Sequence, residues 1–150
     1  MFFFLVLGTQ LSRFMLLIEA TSLAQVLLFG VIFELFVYFN FAGASLMVYA
    51  ISGIVGVSIP PNFKQPFSAS NMAEFWRGWH TSLSYVLREL FYRPTRRSFG
   101  TFTAIFSVFI ASAAWHGITG NFILWGLFHA CVFWLSVFLL RRGWLFISTV

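Results

Sequence analysis

Between Ser22 and Phe41 the chain runs for about twenty residues with nothing more polar than Gln25, Glu34 and Asn40. At about 1.5 Å per residue, a helix of that length crosses a hydrocarbon layer of about 30 Å. Three further blocks share this character. Ala42 to Ile59 is punctuated by Gly43, Gly53 and Gly56 and stops at Pro60-Pro61, as a close-packed or tilted helix ended by prolines would. Thr101 to Trp115 and Phe122 to Leu140 follow, joined by the short turn His116 to Asn121. No water-soluble surface covers so much apolar chain: 60% of the 150 residues are hydrophobic and 9% are charged, with 22 Phe and 6 Trp. The sequence predicts an all-α, polytopic transmembrane bundle of about four hydrophobic helices plus one amphipathic, interfacial or re-entrant helix.

Charge adds orientation. Nine basic residues against four acidic give +5, and in a membrane chain such residues mark cytoplasmic loops rather than a nucleic-acid face. The last two blocks form a hairpin with Arg93, Arg96 and Arg97 ahead of it and Arg141 and Arg142 behind, while its turn carries neither Lys nor Arg. Both outer ends are therefore expected on the cytoplasmic side and the turn on the other. His116, about 22 Å along the third block, is expected beyond mid-depth but within the bilayer's thickness. The N-terminal MFFFLVLGTQLSR has no basic region ahead of its apolar run and no cleavage site, and reads as the tail of a helix begun upstream, not a signal peptide. The single Cys131 excludes a disulfide framework or a cysteine metal cluster and reads as a small core residue.

The polar interval from Pro60 to Gly100 is the most informative. Asn71 stands three residues before Glu74, the spacing of a helix-starting capping box. Met72, Phe75, Trp76, Trp79, Leu83, Val86, Leu87, Leu90 and Phe91 then recur at steps of three and four, which predicts one amphipathic helix with Arg77, Thr81, Ser84 and Arg88 opposite. His80 falls at the seam, beside Trp76 and one turn before Ser84.

Three histidines lie at or within apolar segments: His80, His116 and His129. Each has a structural alternative. His80 is satisfied by Ser84 or a carbonyl, His116 ends the third helix ahead of Gly117, and His129 makes an interhelical hydrogen bond. Their intervals match no local zinc pattern, so no metal is expected. No G-x-S-x-G elbow, P-loop or G-x-G-x-x-G is present, which leaves a serine hydrolase, an NTPase and a dinucleotide enzyme unsupported. The chemistry open to membrane histidines without acidic partners is general base catalysis on a hydroxyl. Glu34, an acid within a span, is a candidate on grounds of burial cost alone.

The ordered strings Tyr38-Phe39-Asn40-Phe41-Ala42-Gly43, Ile59-Pro60-Pro61-Asn62-Phe63-Lys64-Gln65-Pro66-Phe67, Glu74-Phe75-Trp76-Arg77-Gly78-Trp79-His80-Thr81-Ser82-Leu83-Ser84, Trp115-His116-Gly117 and Trp125-Gly126-Leu127-Phe128-His129 resemble the membrane-bound O-acyltransferases (MBOAT). They are most similar to the branch of alginate O-acetylation and teichoic-acid D-alanylation proteins. The resemblance covers about residues 34–135 and implies that 1–150 is a partial domain, a C-terminal part of a larger MBOAT bundle with a central, partly water-filled tunnel. It implies His116 as general base, His80 as the assisting histidine, and Trp76, Arg77, Ser84, Asn62 and His129 as tunnel-lining or substrate-side residues. No cofactor is implied; the donor would be an acyl thioester, either acyl-CoA or an acyl-carrier protein. The acceptor would be a hydroxyl of a cell-envelope polysaccharide, with companion acetylation proteins as partners and the bacterial inner membrane as location. Glu89 stands where the family usually has Asp, and Arg93-Pro94-Thr95-Arg96-Arg97 replaces its usual loop, so a protein- or lipid-directed acyltransferase remains the alternative within the family. A non-catalytic membrane subunit or inactive fragment is the alternative outside catalysis.

Overall fold

The structure is a computed structural model that describes residues 2–15, 17 and 21–144. The chain divides into two compact units with the boundary between Asn62 and Phe63, and the described elements are helical.

The first unit pairs α1 (Phe2–Met15) with α2 (Leu23–Ile54). Helix α2 begins at a reciprocal cap: the Gln25 backbone N–H donates to Ser22 Oγ at 3.3 Å, and the Ser22 N–H donates to Gln25 Oε1 at 2.9 Å. The two blocks read from the sequence as separate, 22–41 and 42–59, are one helix of 32 residues, about 48 Å long. Gly43 does not interrupt it. Ala42 and Gly43 are buried in the helix interior, so small size there serves packing, not a break. Gly8 of α1 lies so close to the Asn40 side chain that a Cβ would collide with it, while the Asn40 amide donates to the Phe36 carbonyl at 2.9 Å. Glu34 lies mid-helix with its side chain exposed.

The second unit is built on an antiparallel hairpin of α5 (Arg93–His116) and α6 (Gly120–Arg141). At one end Phe102 meets Trp134 edge-on at 5.5 Å, and at the other His116 meets Trp125 at 5.6 Å. The helices approach where their residues are small. A Cβ on Gly126 would stand 2.8 Å from the Phe109 carbonyl oxygen and 2.9 Å from the Ala113 Cβ, and Ala104, Ala113 and Ala130 are fully buried. Ile105, Phe109 and Ala130 form the centre of the core, with Trp76, Phe106, Phe133 and Trp134 packed around it. Cys131 is exposed on α6 rather than in this core; its α6 neighbour Ala130 takes the buried position.

Where the sequence predicts one amphipathic helix, there are three pieces: α3 (Met72–Gly78), α4 (Thr81–Leu87) and a π-helical turn, Arg88–Tyr92, leading into α5. The wide turn lies just ahead of Pro94, whose ring would otherwise press on the carbonyl four residues back. Within α5, Gly100 departs from helical geometry (φ 84°, ψ 178°) and separates the arginine-rich first turns from the apolar run Thr101–His116. Glu89 binds Arg93 at 2.6 Å on the exposed side of the turn.

Candidate functional site: a chain of histidine and tryptophan rings

Helix α3 starts as its sequence predicts, with the Asn71 side chain accepting the Glu74 N–H at 3.0 Å. The Glu74 carboxylate reaches the Ser70 N–H at 2.9 Å. The helix stops at Gly78 because another strand of chain lies against it: the Lys64 N–H donates to the Gly78 carbonyl at 2.9 Å, and a Cβ on residue 78 would stand 2.7 Å from the Lys64 oxygen. Trp79 then turns inward, edge-on to Phe63 at 5.2 Å and Phe67 at 6.3 Å and stacked on Phe75 at 5.4 Å. The next residue, His80, takes left-handed backbone angles (φ 44°, ψ 58°), a conformation that costs a non-glycine residue about 1–3 kcal/mol and recurs at functional sites.

Two serines brace this corner. Ser84 Oγ donates to the Trp79 carbonyl at 3.1 Å, so Ser84 holds the backbone of the break and not the His80 ring. Ser82 Oγ stands 3.4 Å from His80 Nδ1, the geometry that orients the ring. Burial pushes the His80 imidazole down to about 4, and the charge of His116 pushes it the same way. His80 is therefore a neutral base at physiological pH, close enough to His116 for the two to sense each other's protons.

His116 is the last residue of α5, and the helix ends at Gly117 without a left-handed cap: the Gly117 N–H donates to the Ala113 carbonyl at 3.0 Å, while its backbone (φ 157°, ψ 145°) lies in a region open mainly to glycine. A Cβ at 117 would also meet the Phe122 ring at 3.0 Å. The His116 ring stacks on Phe122 at 5.8 Å and meets Trp115 at 4.8 Å and Trp125 at 5.6 Å. His129, two turns along α6 from Phe122, sits among Trp125 (4.7 Å), Trp76 (5.1 Å), Phe128 (5.2 Å) and Phe109 (6.3 Å). The expected interhelical hydrogen bond is not made by its Nδ1, which is buried without a partner. With His80 and Trp115 at 6.1 Å, the rings form one continuous path: His80, Trp115, His116, Trp125, His129, Trp76.

Four of the residues singled out in the sequence, His80, His116, His129 and Trp76, thus meet in this cluster. Arg77 is exposed at the end of α3. Asn62 lies in the first unit, where its amide donates to Ser45 Oγ at 3.2 Å. Trp115 and Trp125 separate the histidines. Phe109 and Phe122 were not singled out, although helical spacing carried the signal: Phe109, Ala113 and His116 share a face of α5, and Phe122, Trp125 and His129 share one of α6. Among the described residues no group of three or more His, Cys, Asp or Glu is placed to hold a metal ion.

The sequence model of the membrane-bound O-acyltransferase family matches residues 10–144. The chain belongs to this family. It is 35% identical over 104 residues to a probable alginate O-acetylase of Pseudomonas putida, covering 67% of this chain and 21% of the relative. It is 33% identical over 117 residues to a peptidoglycan O-acetyltransferase of Helicobacter pylori, covering 74% and 22%. It is 30% identical over 109 residues to a teichoic acid D-alanyltransferase of Bacillus subtilis, covering 65% and 28%. The chain therefore spans between a fifth and three-tenths of the length of these relatives. Three of its helical segments, Leu23–Ile54, Thr81–His116 and Gly120–Arg141, are long and apolar enough to cross a membrane, and with the family this makes it a multi-pass integral membrane protein.

Proposed function

We propose that this chain carries the acyl-transfer centre of a membrane O-acyltransferase that moves an acetyl group from a thioester donor to a hydroxyl of a cell-envelope polysaccharide. The imidazole of His116 takes the proton of the acceptor hydroxyl as its oxygen attacks the thioester carbonyl. The tetrahedral adduct collapses to the ester, the C–S bond breaks, and the imidazolium returns its proton to the departing thiolate. His80 assists as a second neutral imidazole that orients the acceptor or shares the proton. The observation that carries this reading is the pairing of His80 and His116 across Trp115: one imidazole is fixed by a strained backbone, the other by a glycine-capped helix end. The names of the relatives, an alginate O-acetylase and a peptidoglycan O-acetyltransferase, support acetyl as the group and an envelope polymer as the acceptor. The basic flanks of the α5–α6 hairpin support placing its outer ends in the cytoplasm of a bacterial inner membrane, with the His116 turn on the opposite side. Acyl-CoA or an acyl-carrier protein would deliver the donor at the cytoplasmic side, and companion proteins would handle the acceptor. To test it, His116→Gln is introduced in the protein as its host makes it, and alkali-released acetate is measured in polysaccharide, protein and lipid fractions. Loss from the polysaccharide fraction alone is expected; loss from the protein or lipid fraction instead moves the acceptor to that class.

A further inference from the structure

Trp76 and His129 leave two buried polar atoms without partners in one cluster: Trp76 Nε1 and His129 Nδ1 are both shut off from solvent and make no hydrogen bond. Native interiors leave few such groups unpaired, and each one points to a strain reservoir, a functional role or an absent small partner. Here the two belong to rings 5.1 Å apart and nearly perpendicular. One oxygen accepting or donating at about 2.9 Å to each side bridges nitrogens up to about 5.8 Å apart, a span that rings with centroids 5.1 Å apart allow. Of the other rings on this pair, Phe109 at 5.2 Å from Trp76 and Phe128 at 5.2 Å from His129 offer no hydrogen-bonding atom, and Trp125, 6.0 Å from Trp76 and 4.7 Å from His129, carries only an indole N–H donor.

We propose that Trp76 and His129 form a binding site for one neutral hydroxyl group. An indole N–H only donates, whereas an unprotonated Nδ1 only accepts. An O–H satisfies both at once: its oxygen accepts from Trp76 Nε1–H, and its hydrogen is donated to His129 Nδ1. A carboxylate or phosphate would bring an unpaired charge into an apolar enclosure and is rejected. A carbonyl would leave an unprotonated Nδ1 unsatisfied. The hydroxyl can come from an ordered water or from a sugar of the acceptor, and Trp125 links this site to His116 through ring contacts of 4.7 and 5.6 Å. The inference stands whether or not His116 is the catalytic base.

The test uses the full chain in lipid nanodiscs with 15N-labelled Trp and His, Trp76 being assigned by loss of its signal in Trp76→Phe. The Trp76 indole proton is expected at a hydrogen-bonded shift, and His129 Nδ1 in the unprotonated range. His129→Phe is expected to move the Trp76 proton upfield, and Trp76→Phe to shift Nδ1 of His129. A cross-peak from the Trp76 indole proton to water identifies water as the source. Replacement of that cross-peak by one to sugar protons on adding a short unacetylated alginate oligosaccharide identifies the acceptor. A Trp76 N–H at the shift of indole in hydrocarbon overturns the proposal, as does a protonated Nδ1. Both are read on the wild-type chain, the Trp76→Phe variant serving only to assign the indole signal.

Discussion

Replacing Gly126 by Ala tests whether the close approach of α5 and α6 sets the spacing of the histidine cluster. The new Cβ would stand 2.8 Å from the Phe109 carbonyl oxygen and 2.9 Å from the Ala113 Cβ. The first contact is to backbone, which cannot rotate away, so the helices must part by about half an ångström to restore ordinary contact. A gap of that size forfeits about a quarter of the attraction along the seam, and overpacking of this kind costs about 1–3 kcal/mol. The gain from replacing glycine inside a helix, about 1 kcal/mol, offsets part of it, for a net loss of up to about 2 kcal/mol. Denaturant unfolding in mixed micelles, followed by circular dichroism, should show the lower midpoint. Adding Ala113→Gly to Gly126→Ala removes one of the two clashes and should restore part of the loss, a coupling that a double-mutant cycle reads directly. An unchanged midpoint in Gly126→Ala, or strict additivity of the two changes, refutes the packing argument.

In a histidine NMR titration His80 should stay neutral down to about pH 4; because a charged His116 disfavours a second cation nearby, His116→Gln should raise the His80 value, and a fall or no change contradicts their proximity. Ser84→Ala removes the hydroxyl that holds the Trp79 carbonyl and should destabilise the second unit by about 1 kcal/mol, measured as a lower melting temperature. Gly117→Ala places a Cβ at φ 157° and 3.0 Å from the Phe122 ring; it should displace the His116 ring and lower acyl transfer at least tenfold with the protein still in the membrane, as activity and immunoblotting together would report.

The parts of this fold legible in the sequence are those governed by local rules. The cap at Asn71, the end of α5 at His116 before Gly117, and the hairpin of Thr101–Trp115 with Phe122–Leu140 each depend on residues a few positions apart. The break at Trp79-His80 does not. Trp79, Leu83 and Val86 keep helical spacing straight through it, and the helix stops only because Lys64 pairs with Gly78 while Phe63 and Phe67 receive Trp79. That non-local contact changes the site. On an unbroken helix His80 sits at the seam near Ser84, whereas the left-handed turn brings it to Trp115, with Ser82 as ring partner. The continuity of α2 through Gly43 was illegible for a related reason, since a glycine that breaks a helix and one that lets another element approach look alike in sequence. His116 and His80 as a pair came from motif resemblance; their ring partners Phe109 and Phe122 required the register of α5 on α6.

The central claim, that His116 is the base for acyl transfer, meets its most direct test in ester-linked acetate on purified envelope polysaccharide from cells whose only copy carries His116→Gln. The account predicts that this acetate disappears while the variant protein remains in the membrane at the wild-type amount. Acetate at the wild-type level in those cells contradicts it.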